Sequence, residues 1–348
     1  MKNSFVCASL MATVAFSEDT KKCRALVLSG GSNNGAWESG VMWGLVHYGT
    51  PADYAWDVVT GVSAGAINVS GIATWAAGRE IEMTEWLTDK WATMKSEDVW
   101  VYRQAGPYEL IFQEPSLLDD SPGLVTLRDI VNDENVIARR FAVTAVDVNT
   151  GDYVVMDQTN TPVDDLAQSA IASGSLPGVF PPQQMNGYVF MDGGTVWDVN
   201  LTSAVQQCME IVDDYSDIIV DVAICGYHSL NGYPIENSAV KNAQNARNIH
   251  DYYNNINSVI SQAQAYPGLE ARYYFQERNN CPGAGGLDFN NSTTWCLQED
   301  GRADAKTMLD IGSDNVHKTL EEWYASKELK AEYPFFRDYL DSVYAYLF

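Results

Sequence analysis

Trp56-Asp57-Val58-Val59-Thr60-Gly61-Val62-Ser63-Ala64-Gly65 is the stretch whose reading decides the fold. An apolar run of strand type ends in Gly61-Val62-Ser63-Ala64-Gly65. A small-residue segment of helical type, Ala64 to Ala77, then follows. A five-residue G-x-S-x-G between a strand and a helix has the form of a nucleophile elbow, which holds a serine on a strained turn with its hydroxyl exposed. Gly61 and Gly65 lack a Cβ, so strand, helix and an incoming carbonyl group can approach one another closely. The expectation is an α/β protein with Ser63 as its nucleophile.

Working back from the elbow, Ala25-Leu26-Val27-Leu28 is continuous and apolar, as a buried parallel strand requires. The loop Ser29-Gly30-Gly31-Ser32-Asn33-Asn34-Gly35 follows it, then a helix over Ala36 to Val46 with Trp37, Val41 and Leu45 at helical spacing. Small residues at a helix N-terminus present backbone N–H groups where the helix dipole favours negative charge. Gly30, Gly31 and Ser32 are therefore expected to supply an oxyanion hole, completed by the N–H of Ala64 and supported by Gly35. The loop lacks the Gly-Lys-Ser/Thr ending of a Walker A phosphate loop and does not match G-x-G-x-x-G.

Working forward, Glu80 to Met94 reads as an amphipathic helix and Val99 to Ser121 as an irregular, aromatic-containing insertion. Strands are expected over Phe141–Val148, Tyr153–Met156, Tyr188–Met191, Ile218–Ile224 and Arg272–Phe275. Helices are expected over Pro162–Ser173, Ser203–Ile211 and Asn237–Gln264. Such alternation builds a sheet wrapped by helices. No repeat or Pro/Ser-rich linker divides residues 22–348, which read as a single domain.

The strand over Tyr188–Met191 ends at Asp192-Gly193-Gly194, where a carboxylate can accept the Ser63 proton. At the ordinary carboxyl pKa of about 3.9 it is ionised but weakly basic, and must act by position. Ser173-Gly174-Ser175-Leu176-Pro177-Gly178-Val179-Phe180-Pro181-Pro182 is a rigid loop that brings Phe180 to line an acyl cleft.

Gly30 to Gly35, Gly61 to Gly65, Pro177-Gly178-Val179-Phe180-Pro181-Pro182 and Asp192-Gly193-Gly194 together resemble the patatin-like phospholipase family, collinearly from Leu26 to Trp197, about half of the chain. The motif region is 25–198, and residues 199–348 diverge. The resemblance implies a three-layer α/β/α sandwich around a mostly parallel sheet. It implies a Ser63–Asp192 dyad, an acyl-enzyme hydrolysed by water, and no cofactor or catalytic metal. The family's loop usually carries a further Gly at position 32 and Arg or Lys at position 34. Ser32 and Asn34 stand here, removing a cation from beside the oxyanion or a lipid phosphate. Two other readings are an α/β-hydrolase triad completed by His228, His250 or His317, and a secreted lipid-binding or storage protein.

With 21 Lys and Arg against 46 Asp and Glu, the formal charge is −25. That argues against nucleic acid as a partner, which needs a basic face, and against lasting adsorption to strongly anionic membranes. An ester lipid met at a transient membrane or micelle interface fits better. Lys2, the apolar run Phe5 to Phe16 and Ala15-Phe16-Ser17 form a signal peptide over residues 1–17, hence secretory or endolysosomal localisation.

Five cysteines remain after cleavage. Cys281 and Cys296 bracket a Gly/Asn-rich loop and form one expected disulfide. Cys208 and Cys225 form a second candidate pair, leaving Cys23. Asn200, Asn290 and Asn291 head glycosylation sequons, while the sequon at Asn68 falls in the helix after Ser63 and is expected to be buried. No C-x-x-C or His pair has metal-ligand spacing. The aromatic C-terminal segment, Trp323 to Phe348, reads as helical core packing, with seating on a lipid interface as the alternative.

Overall fold

The computed structural model describes residues 21–132, 136–225, 238–266, 268–277 and 280–313. The signal-peptide residues, His228, His317 and the aromatic C-terminal segment lie outside them.

In chain order the elements are β1 (Cys23–Leu28), α1 (Gly35–Tyr48), β2 (Val58–Val62), α2 (Ala64–Ile72), α3 (Glu80–Thr93), β3 (Val101–Tyr102), α4 (Pro107–Phe112), β4 (Leu118–Asp119) and α5 (Ser121–Asn132). There follow β5 (Arg140–Asp147), β6 (Tyr153–Asp157), α6 (Val163–Ser173), β7 (Gln183–Met185), β8 (Tyr188–Asp192), α7 (Leu201–Cys208), β9 (Ile218–Ile224), α8 (Ala239–Gln264), β10 (Glu270–Gln276) and α9 (Asn291–Ile311). Every strand and helix expected within the described residues appears. The 99–121 insertion is more regular than expected: β3 and β4 pair antiparallel around α4.

β10, β9, β1, β2 and β5 run parallel, and β6, β8 and β7 add antiparallel pairs, giving a mixed, mostly parallel sheet. Its two faces carry separate apolar layers. One gathers α1, α2, α3, α6 and α9 around Trp37, Leu45, Ile72, Phe141 and Leu297. The other packs α7 onto β1 and β9 through Ala25, Val27, Val205 and Val220. Helices thus cover both faces. Among the described residues no helix is long and apolar enough to cross a membrane.

The edge of β5 places the site. β2 pairs with Arg140–Thr144 of β5, and β8 pairs with Ala145–Asp147. β6 also pairs with Ala145 and Val146, so it takes the opposite edge and β8 continues the edge that β2 leaves. Val62 faces Thr144 and Asp192 faces Ala145. The ends of β2 and β8 therefore meet head-on.

α9 was not foreseen as an element. It lies against α1 with backbones in contact: a Cβ on Gly40 would stand 2.2 Å from the Gln298 carbonyl oxygen, and one on Gly301 2.2 Å from that of Trp37. Just before α9, the Cys281–Cys296 disulfide forms as expected. The other pair is Cys23–Cys208, and Cys225 is the buried free thiol, which corrects the alternative Cys208–Cys225 pairing. The cause is register. Cys23 opens β1 opposite Ile218, beside the end of α7, whereas Cys225 stands seven residues further along the neighbouring strand, about 23 Å at 3.3 Å per residue.

Candidate active site

Ser63 sits between β2 and α2 at φ 51° and ψ −116°, a backbone conformation that a non-glycine residue adopts only under strain. Two glycines make this turn possible. A Cβ on Gly61 would stand 2.3 Å from the Gly65 carbonyl oxygen, and one on Gly65 2.5 Å from that of Leu28. Ser173, at the end of α6, anchors the turn: its hydroxyl accepts the Ser63 N–H at 2.9 Å and donates to the Thr144 carbonyl at 2.6 Å.

Asp192 is buried, and the Ser63 side chain stands close enough to its carboxyl to favour the ionised form. Its carboxylate accepts the Gly194 N–H at 2.8 Å, and Gly193 packs against the Thr144 carbonyl. Burial pushes its pKa up to about 6, although the Ser63 side chain, the Gly194 N–H and the charge of Arg247 pull the other way. Asp192 is thus a stronger base than an ordinary carboxylate, and the expectation that it must work by position alone is revised.

The loop between β1 and α1 runs along the same end of the sheet. With Ala64 at the start of α2, the four expected donors are not equivalent. The Gly30 N–H is engaged, donating to Asp198 Oδ1 at 3.0 Å. The N–H groups of Gly31, Ser32 and Ala64 have no other acceptor among the described residues and border the cavity beside Ser63. Gly35 opens α1 behind them.

The Ser32, Asn33 and Asn34 side chains all turn toward the 283–288 segment. Ser32 Oγ donates to the Gly286 carbonyl at 2.7 Å, and Asn33 Nδ2 to the Gly283 and Asp288 carbonyls at 2.9 Å each. Asn34 Oδ1 accepts the Gly285 N–H at 2.8 Å, and its amide donates to the Cys225 carbonyl at 3.0 Å. Asn34 is buried, and its amide cements two loops together at the position where the family usually places a cation.

These groups stand in the wall of a cavity of about 720 Å³. Its wall is largely apolar: Ile67, Trp86, Trp91 and Met94 on one side, Leu176, Val179 and Phe180 on another. Phe180 is buried where the sequence places it. Lys90 and Arg247 are cations at the cavity, on α3 and α8. His250 is exposed on α8 beside Asp251, and among the described residues no histidine borders the cavity. Among the described residues, no cluster of three or more His, Cys, Asp or Glu side chains is arranged to hold a metal ion.

Two participants escaped sequence reasoning. Ser173 was read only as the end of a helix and the start of a rigid loop. Asp198 was read as the end of the recognisable motifs, with nothing in its local sequence to mark a contact with Gly30.

A mixed sheet with an elbow serine at the end of β2 and a buried carboxylate at the end of β8 fits a hydrolase. The patatin-like phospholipase family model matches residues 26–205, more than half of the chain, and the protein belongs to that family. Among solved structures, VipD from Legionella pneumophila is similar at 14% identity and a TM-score of 0.40, over 84% of this chain and 67% of that one. ExoU from Pseudomonas aeruginosa, in complex with SpcU, is similar at 13% identity and a TM-score of 0.38, over 84% of this chain and 53% of that one. The chain thus spans about two thirds and about half of these two proteins. A search of curated proteins finds no match.

Proposed function

We propose that the protein is a serine acyl hydrolase that cleaves ester bonds of glycerolipids, of the phospholipase A or lysophospholipase type. Asp192 takes the Ser63 proton as Ser63 Oγ bonds to the ester carbonyl carbon. The resulting oxyanion is held by the N–H groups of Gly31, Ser32 and Ala64. Collapse of this intermediate breaks the ester C–O bond, and the proton passes from Asp192 to the leaving alkoxide. Water, deprotonated by Asp192, then attacks the acyl-enzyme, and breaking the Ser63 ester bond releases the fatty acid and returns the proton to Ser63.

The observation that carries this reading is the placement of Asp192 beside Ser63 in the wall of a cavity large enough, and apolar enough, for acyl chains. The acidity of the chain favours neutral or zwitterionic interfaces over anionic ones. Two disulfides, and exposed sequon residues at Asn290 and Asn291, are in keeping with a secretory route. Asn200 does not serve that route, being a buried helix cap that accepts the Ser203 N–H.

The test is hydrolysis of a defined lipid mixture by the wild type and Ser63→Ala, with products identified by mass. Fatty acid release that depends on Ser63 is the expected result, and equal release by the variant overturns the reading.

A further inference from the structure

A second carboxyl group stands beside the candidate dyad. Asp198, six residues beyond Asp192, turns back into the cavity wall, where its Oδ1 accepts the Gly30 N–H at 3.0 Å. The same oxygen leaves no room for a Cβ on either neighbouring glycine: one on Gly30 would stand 2.3 Å from it, and one on Gly194 2.7 Å. Gly30 belongs to the oxyanion loop, while Gly194 supplies the N–H that holds Asp192. One carboxyl is therefore wedged between the two pieces of machinery whose relative placement decides whether Ser63 reacts.

The surroundings select its protonation state. Asp192 and Asp251 face it with negative charge, and Glu38 approaches from α1. Tyr153 from β6 is a neutral neighbour, Asn255 donates to it from α8, and Arg247 interacts with the adjacent Asp192. Two carboxylates cannot both ionise cheaply in one desolvated site. Desolvation and the charge of Asp192 raise the Asp198 pKa to about 8, against about 6 for Asp192.

We propose that Asp198 is a positioning residue that acts as a carboxylic acid: it clamps Gly30 of the oxyanion loop to the Gly194 turn and, by keeping its own proton, leaves the negative charge on Asp192. This rests on the acyl hydrolase reading above. The Asp198 proton takes no part in bond making or breaking. Ionisation of Asp198 would place a second negative charge beside the developing oxyanion, so the clamp fails at alkaline pH.

The test compares the full-length, disulfide-intact wild type with Asp198→Asn and Asp198→Ala. One readout is kcat/KM for a soluble short-chain p-nitrophenyl ester across pH, with Ser63→Ala as blank. The other is the melting temperature across the same range. Asn keeps an acceptor for the Gly30 N–H but cannot ionise. It is expected to lack the wild-type fall in rate above pH about 8 and to exceed Ala at pH 7 by about tenfold or more.

The melting readout needs no activity. An unfolded Asp loses its proton near pH 4, whereas folded Asp198 keeps it to about 8, so the folded state binds more protons across that window and stability falls as pH rises. The Asn variant escapes this loss, and its melting temperature should gain on the wild type from pH 5 to 8. An alkaline limb unchanged in Asp198→Asn, or Asn no better than Ala, overturns the proposal. If no Ser63-dependent hydrolysis is seen at all, the acyl hydrolase reading fails and the melting series alone decides: a difference that does not vary with pH overturns the protonated clamp.

Discussion

The Ser173 hydroxyl accepts the backbone N–H of Ser63 at 2.9 Å and holds the strained elbow to the sheet through the Thr144 carbonyl. Without that acceptor the Ser63 N–H would be left unpaired at the most strained residue of the site. An unsatisfied buried donor costs about 1–3 kcal/mol. Ser173→Ala is expected to slow phosphonylation of Ser63 by a fluorophosphonate probe by about tenfold or more, with the melting temperature lowered only modestly.

Gly61 and Gly65 face a steeper penalty. The atoms that a Cβ would meet are backbone carbonyls of Gly65 and Leu28, which cannot step aside as a flexible side chain can. Gly61→Ala and Gly65→Ala should each lose about 3 kcal/mol or more of stability, the upper range for overpacking. Chemical denaturation measures the loss directly. Variants within about 0.5 kcal/mol of the wild type would contradict the close approach.

In the proposed mechanism Asp192 sets the acid limit of activity. As the proposed general base it must be ionised, and burial raises its pKa to about 6. The ionised fraction, and with it kcat/KM, should therefore rise with pH through about 6, with the value at pH 5 near one tenth of that at pH 7. Asp192→Asn should abolish turnover while leaving the fold intact. A pH profile with its acid midpoint near 4 would instead mean an Asp192 open to water.

What was legible in the sequence is local. The elbow, the oxyanion loop and the Asp192 turn each owe their form to residues within a short span, so motif reading found them, and hydrophobic continuity found the strands. What was missed crosses the chain. The contact of Asp198 with Gly30 spans 168 residues, and that of Asn33 with the Gly283 carbonyl spans 250. An Asp after a Gly-Gly turn and a pair of Asn in a loop carry no local sign of such partners. The Cys208 partner was misjudged for the same reason, because only the pairing of β1 with β9 places Cys23, and not Cys225, at the end of α7.

The two disulfides should differ in what they protect. Cys281–Cys296 closes a short loop that carries Gly283, Gly285, Gly286 and Asp288, the backbone partners of Ser32, Asn33 and Asn34. Cys23–Cys208 ties β1 to α7 across the opposite apolar layer and touches none of the loop that borders Ser63. Chain-entropy arguments assign about 3 kcal/mol to closing a loop of 15 residues and more to a longer one. Cys281→Ser/Cys296→Ser should therefore slow fluorophosphonate labelling of Ser63 by about tenfold through a loosened oxyanion loop, with a moderate fall in melting temperature. Cys23→Ser/Cys208→Ser should lower the melting temperature more, and below that transition should label at the wild-type rate. Equal labelling by both variants would uncouple the 283–288 segment from the oxyanion loop, and with it the role assigned to Asn33 and Asn34.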